Sequence, residues 1–220
     1  MHIADFLNIN PGVTAVIGGG GKTTLIRTLT EELRQRGSVV LCTSTHIRIP
    51  DQYPLVTGGE ETLRNALSAH GAVCAGSPAA EGKLTASPLS FEILSELADY
   101  VLVEADGSKG LPLKRHAAHE PVIPENARRV VLVVGADGFY RRISSVCHRG
   151  AEDGIATPAW TAQHILGEGY GDCVFINKVE APEDYEAAAE LAALLDCPVT
   201  AGSLWKGDYT CLRSFGAQGI

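Results

Sequence analysis

The chain lacks an excess of basic residues: 18 Lys and Arg stand against 26 Asp and Glu, a formal net charge of −8. Nucleic acids and membrane surfaces are anionic, so general binding to either is not expected. No stretch approaches the roughly 20 apolar residues of a membrane-spanning helix. The opening MHIADFLNINPG has no charged segment leading into a long apolar run, so no signal peptide is expected. There is no internal repeat, no Pro/Ser-rich linker and no low-complexity block, and a single domain over residues 1–220 is expected. None of the six cysteines forms a C-x-x-C pair. Cys42 and Cys173 fall inside apolar runs, where a thiol behaves as a small hydrophobe. Reduced thiols in a cytoplasmic protein follow, and the spacing does not support a structural zinc site. The strict phosphate-loop pattern G-x-x-x-x-G-K-[ST] is missing too, because its first glycine falls on Val16.

What is present is the composition of an ordinary soluble globular protein, 45% apolar and 20% charged. VTAVIG, KTTLIRTLTEELRQRG and SVVLCTST read as strand, helix and strand. Leu25, Leu29 and Leu33 mark one helix face and Gly37 is the expected stop. Strands so close on either side of a helix form a parallel βαβ unit. EETLRNALSAHG predicts a helix ending at Gly71, and AVCAGS with GKLTASP predicts a hairpin. SPLSFEILSELAD predicts a helix capped near Ser87 or Ser90, followed by the buried strand YVLVEADG. RRVVLVVGADG and DCVFINKVE read as further strands. TPAWTAQHILGEG, with Pro158 in its first turn, and APEDYEAAAELAALLD read as helices, and CPVTAGSL as a last strand. This alternation predicts an α/β fold, an open, mostly parallel sheet flanked by helices and arranged as in P-loop NTPases.

Each strong apolar run ends in glycine or polar residues: GGGGKTT, TSTH, EADGSK, GADG and NKVE. Ligands of open α/β sheets bind beyond the carboxyl ends of the strands, so these clusters are expected on one edge. The shorter pattern G-x-x-G-K-T-T fits Gly18, Gly21, Lys22, Thr23 and Thr24, with Gly19 and Gly20 between. Glycines let backbone N–H groups turn around phosphate oxygens, and a helix N-terminus adds positive charge. Lys22 is expected on the β- and γ-phosphates and the Thr23 hydroxyl on Mg²⁺. Glu104 and Asp106 lie on one side of their strand; either is expected to hold the Mg²⁺ or position an attacking water. Thr45 is a candidate second hydroxyl near the metal, and His46 a substrate or metal contact. Lys109, Lys114, Arg115, His116 and His119 form a candidate anion-binding patch, against the alternative of a solvated loop. Cys147 and His148 are a weak candidate metal pair. Asn177, Lys178 and Glu180 in NKVE resemble the N-K-x-D signature that selects guanine in GTPases, with Glu in place of Asp. The cofactors expected are therefore Mg²⁺ and either ATP or GTP.

GGGGKTT, TSTH, VLVEADGSKGLPLKRHAAHEPVIP, VVLVVGADG and INKVE, in that order, resemble the YqeC-type accessory proteins of selenium-dependent molybdenum hydroxylases. The resemblance covers roughly residues 10–205, and VEADGSKGLPLK through HEPVIP is its most specific part. It implies a nucleotide-hydrolysing maturation factor whose partners are a molybdenum or selenium cofactor precursor and a client hydroxylase. The double-threonine loop also resembles that of the Mur ligases, and an ATP-dependent ligase or kinase acting on a small acid stays open beside it. A Mur ligase normally carries substrate domains that this chain is too short to hold.

Overall fold

The computed structural model describes residues 1–48, 51–165, 167, 169 and 171–214. In chain order the elements begin with α1 (Ile3–Phe6), β1 (Gly12–Gly18), α2 (Lys22–Leu33), β2 (Val39–Thr43), β3 (Ile47–Arg48), β4 (Leu55–Val56), α3 (Glu60–His70) and β5 (Ala72–Ala75). They continue with β6 (Ser77–Pro78), β7 (Lys83–Thr85), α4 (Phe91–Leu97), β8 (Tyr100–Glu104), β9 (Leu113–Lys114) and β10 (Ala127–Gly135). The rest are α5 (Ile143–Val146), β11 (Cys147–His148), α6 (Pro158–His164), β12 (Cys173–Asn177), α7 (Pro182–Ala193), β13 (Val199–Ser203) and β14 (Asp208–Arg213).

The main sheet runs β14-β13-β12-β10-β1-β8-β2-β5-β4. Every neighbouring pair in it is parallel except β13 with β14. The strand preceding the glycine run is thus central, between β8 and β10. The fold is α/β with a mostly parallel sheet flanked by helices, consistent with a P-loop NTPase-like arrangement.

Period-two alternation divides the strand side chains between two cores. Val13, Ala15, Ile17, Val101, Val103, Leu132, Val134, Val174 and Ile176 pack on one face with Leu63, Leu94, Ala188 and Leu191 from α3, α4 and α7. Val16, Leu102, Val131, Val133 and Phe175 pack on the other with Leu25, Leu29 and Leu33 of α2 and Ile3 and Leu7 near α1. The three α2 leucines are fully buried, and each burial contributes roughly 1.5–3 kcal/mol. Glu104 continues the even-numbered side of β8. The same alternation that buries Leu102 against α2 therefore brings Glu104 to the start of that helix.

Several details differ from expectation. α2 ends at Leu33, and a turn carries the chain to Gly37, whose amide donates to the Leu33 carbonyl at 3.0 Å. Residues 72–75 do not form a hairpin with the next strand. They join the main sheet parallel to β2, and the hairpin is β6–β7, in a small sheet completed by β3. Four buried apolar residues, Ala72, Val73, Cys74 and Ala75, are better covered in the large sheet than on a two-stranded ribbon. β13 is followed by antiparallel β14, whose burial is weak, as for an edge strand. Leu166 and Glu168 of the expected helix at 157–169 lie outside the described residues. Ser90 caps α4, accepting from the Ile93 amide, and Thr157 caps α6 ahead of Pro158.

Candidate functional site

The parallel strands deliver Gly18, Thr43, Glu104, Gly135, Asn177 and Ser203 to one edge. β1 ends at Gly18 and α2 begins at Lys22, so only residues 19–21 make the turn. Each glycine of the run meets a different neighbour. A side chain on Gly18 would strike the Val133 carbonyl, and one on Gly19 would lie 2.6 Å from the Pro112 carbonyl oxygen. On Gly20 it would overlap the Gly135 backbone, and on Gly21 it would come within 2.6 Å of Asn177 Nδ2. Gly18, Gly20 and Gly21 also have φ of +96°, +73° and +121°, conformations open to glycine. The run is therefore required by close packing as well as by backbone conformation.

Three of its amides are held inside the protein. Gly18 N–H donates to Asp106 Oδ2 at 2.8 Å, Gly19 N–H to the Val133 carbonyl at 3.0 Å and Gly20 N–H to the Leu111 carbonyl at 3.1 Å. The next amides, of residues 21–24, have no acceptor among the described residues and no side-chain cap. They form the N-terminus of a 12-residue helix, where the helix dipole favours an anion.

Lys22 does not point into solvent. Its ammonium donates to the Gly18 carbonyl at 2.6 Å and pairs with Asp106 Oδ1 at 3.0 Å, and its side chain is 3% exposed. Asp106 is fully buried and gathers further partners: His116 Nε2 at 2.8 Å and Lys114 Nζ at 3.6 Å on Oδ2. Burial raises the Asp106 carboxyl pKa, but the His116 hydrogen bond, Lys22, Lys114 and the Gly18 amide outweigh it and hold it at about 2. Lys114, also fully buried, donates to the Gly107 carbonyl at 2.7 Å and pairs with Glu120 at 3.1 Å. Glu120 accepts in turn from Arg149 Nε at 3.2 Å. A chain of alternating charges thus runs from the start of α2 to the surface.

Glu104 is placed differently. Its Oε2 accepts from the Thr23 hydroxyl at 2.8 Å. Burial raises its pKa, with Lys22 and Thr23 opposing and the Asp106 charge adding. The two acids suspected of one role therefore sit in opposite environments, Asp106 among cations and Glu104 beside a hydroxyl. In the TSTH stretch, Thr43 donates to the Glu104 carbonyl at 2.7 Å. Thr45 follows, its amide donating to Thr43 Oγ1 at 3.0 Å, and His46 is exposed.

The expected basic patch is split. Lys114 and His116, two apart on an extended segment, turn inward onto Asp106, while Arg115 between them pairs with Glu152 at 3.1 Å. Lys109 and His119 are exposed. The inward pair was detectable as an alternation at 114 and 116, but the charges obscured it because lysine is rarely buried. His148 joins β9 through β11, and burial, Lys114, Arg149 and Lys109 lower its pKa. Among the described residues no group of three or more His, Cys, Asp and Glu is placed to hold a metal.

NKVE lies at the same edge, one strand beyond β10. Asn177 is buried; its Nδ2 donates to the Gly20 carbonyl at 2.8 Å and its Oδ1 accepts from Leu204 N–H at 3.1 Å. Glu180 Oε1 accepts from the Ser203 hydroxyl at 2.8 Å. Lys178 has φ of +62° and pairs with Asp137 at 2.8 Å. Ser203, which sequence reasoning passed over, gave no signal beyond its place at a strand end. A separate cavity of about 560 Å³ lies at the opposite edge, lined by Gly12, Ser38, Asp99 and Arg128 among others, far from these groups in the sheet. Among the described residues no helix is long and apolar enough to cross a membrane.

Comparison with known proteins matches these elements to relatives. The chain is similar to the uncharacterized protein YqeC of Escherichia coli K12, 34% identical over 143 residues, which are 61% of this chain and 56% of that protein. The match thus spans little more than half the length of that relative. Among solved structures it is similar to the 54 kDa protein of the signal recognition particle from Aeropyrum pernix K1 in complex with GDP. That similarity has a TM-score of 0.44 and 17% identity, and covers 92% of this chain and 44% of that one. The sequence pattern of the family described as YqeC protein matches residues 14–151, from β1 through the whole Asp106 charge chain to β11 and beyond. The chain belongs to the YqeC family.

Proposed function

We propose that this chain binds and hydrolyses a nucleoside triphosphate with Mg²⁺ at the carboxyl edge of its sheet. One observation carries the proposal. The start of α2 offers four amides without acceptors among the described residues beside Lys22, with the Thr23 hydroxyl 2.8 Å from a buried carboxylate, Glu104. Phosphate oxygens take the amides of residues 21–24, and Lys22 moves from Asp106 and the Gly18 carbonyl to the β- and γ-phosphates. Asp106 anchors Lys22 between turnovers. Its cationic surroundings suit that role better than metal ligation, whereas Glu104 suits the metal.

The donors fit Mg²⁺, which takes one or two protein oxygens, phosphate oxygens and waters. Thr23 and Glu104 supply two hard oxygens, and Thr45 is a further hydroxyl at the same edge. Held there, the ion would neutralise phosphate charge in the transition state. Lys22 and the helix N-terminus share that task, and Asp106 keeps the ammonium in reach. Asn177, Lys178 and Glu180 receive the base, with Glu180 accepting from the N–H edge of guanine. A modest preference for GTP over ATP follows.

The resemblance to accessory proteins of selenium-dependent molybdenum hydroxylases supports a role in maturing such a cofactor, with a cofactor precursor and a client hydroxylase as partners. The short G-x-x-G-K-T-T turn favours a second reading, an ATP-dependent ligase or kinase acting on a small acid, as in the Mur ligases. Calorimetric titration with ATP and GTP, with and without Mg²⁺, tests the nucleotide reading, and phosphate release with and without candidate acids separates the two activities. Mg²⁺-dependent binding with acceptor-independent release is expected. Failure of both nucleotides to bind overturns the proposal.

A further inference from the structure

The turn between β13 and β14 presents Trp205 almost entirely to solvent, 90% exposed. Large aromatics are usually kept from water, and this one belongs to no flexible tail. The turn is fastened at every side of it. Leu204 N–H donates to Asn177 Oδ1 at 3.1 Å, Lys206 N–H to Ser203 Oγ at 3.2 Å and Gly207 N–H to the Ser203 carbonyl at 2.8 Å. Lys206 Nζ reaches the Glu180 carbonyl at 2.8 Å, and Ser203 Oγ donates to the Glu180 carboxylate at 2.8 Å. The residues immediately before and after Trp205 therefore both bond to the NKVE segment. Consecutive Cα atoms are about 3.8 Å apart, so position 205 lies one residue from each of two ties, to Asn177 and to Glu180. β12 and β13 are parallel, which puts this turn on the same edge as the glycine run.

We propose that Trp205 is the base-stacking residue of the nucleotide site, covering one face of the purine whose edge Glu180 reads. This rests on the nucleotide reading above. Every purine offers a π-face, so stacking adds affinity without selecting guanine over adenine. Selection stays with Glu180, and retention of phosphate stays with the start of α2. The division of labour separates the ligand into parts that different residues recognise.

The test compares GTP, ATP and inorganic tripolyphosphate, which has no base, on the unmodified protein and on Trp205→Leu and Trp205→Phe. Trp160, the second tryptophan, is replaced by Phe throughout so that position 205 supplies the fluorescence. Loss of the indole is expected to weaken GTP and ATP about equally, by roughly five- to a hundredfold, with tripolyphosphate unchanged. Phe, which keeps a ring, is expected to restore most of the loss. Both nucleotides should change Trp205 emission and tripolyphosphate should not. Equal nucleotide affinity with and without Trp205 overturns the stacking role and leaves the phosphate site standing. A loss that extends to tripolyphosphate also overturns it, because the residue would then act through the fold. If neither nucleotides nor tripolyphosphate bind the unmodified protein, the nucleotide reading itself falls.

Discussion

The two ends of the candidate site hold their residues by different physics. At the start of α2, buried charges are set against one another: Lys22 and Lys114 pair with Asp106, which His116 also contacts, and Glu104 faces Thr23. At NKVE the ties are hydrogen bonds at a partly exposed corner, Ser203 to Glu180 and Leu204 to Asn177. Buried charge is costly to misplace and unforgiving of change, whereas a solvated hydrogen bond can be remade with water. The first arrangement suits the triphosphate, which is common to every nucleotide. On the proposed function the second serves the base, where a contact can be remade with water at little cost. Asn177 joins the ends through the Gly20 carbonyl.

Breaking this contrast at its strongest point means removing the shared anion. Asp106→Ala leaves Lys22, Lys114 and any charge on His116 without their common partner, and such a loss costs about 3–5 kcal/mol. Urea denaturation should show it, against less than about 1 kcal/mol for Glu180→Ala at the exposed corner. Equal losses at both would mean the charge cluster is no more committed than the base corner.

Lys22→Ala should weaken ATP and GTP alike by about ten- to a hundredfold, as for a lost charge-assisted contact, while Lys114 and His116 still reach Asp106 Oδ2. Titration calorimetry checks it; unchanged affinity would remove Lys22 from the phosphate end.

Acid should unfasten the two ends unequally. The Asp106 carboxyl is held at about 2 against an ordinary 3.8, so its stabilisation is present above 3.8 and is lost as the pH falls through about 2. The loss amounts to about 2 kcal/mol. A pH series of unfolding free energies should show a drop in that window that Asp106→Asn no longer shows.

Glu104 has the opposite sign, its pKa raised by burial. Metal must displace its proton, so apparent Mg²⁺ affinity should rise with pH through the raised value and then level off. Glu104→Gln should flatten that profile and lower Mg²⁺-dependent turnover about tenfold, as one hard ligand is lost. The smallest effect belongs to the base corner: Glu180→Ala should narrow a GTP preference by less than about tenfold, read by competition of ATP against labelled GTP.

The sheet was legible because five apolar runs alternate with helical ones, and period-two burial needs no tertiary knowledge to infer. The edge position of Lys22, Glu104, Asp106 and Asn177 followed from where those runs stop. What sequence could not resolve was partnership. Glu104 and Asp106 share a side of one strand, so spacing alone treats them alike; only the arrival of Lys114 and His116 from a segment about ten residues later separates them. Residues 72–75 misled in the same way, because the choice between a local hairpin and a distant parallel partner is decided by which neighbour buries more apolar surface. Ser203 closes a strand and Trp205 falls in the turn after it, with no periodicity to draw attention to either.

The crossing of residues 111 and 112 over the glycine run has a consequence for hydrogen exchange. Gly20, in the turn after β1, and Gly135, at the end of β10, donate their amides to the consecutive carbonyls of Leu111 and Pro112. The two deuteration clocks are thereby coupled: opening one bond frees the segment that closes the other. A ligand that only fills the start of α2 would leave both amides as slow as before, while one that shifts the glycine run would speed them together. Those two protons thus report whether the segment bearing Lys114 and His116 moves with the loop beneath it or stays clamped as the loop's fixed roof.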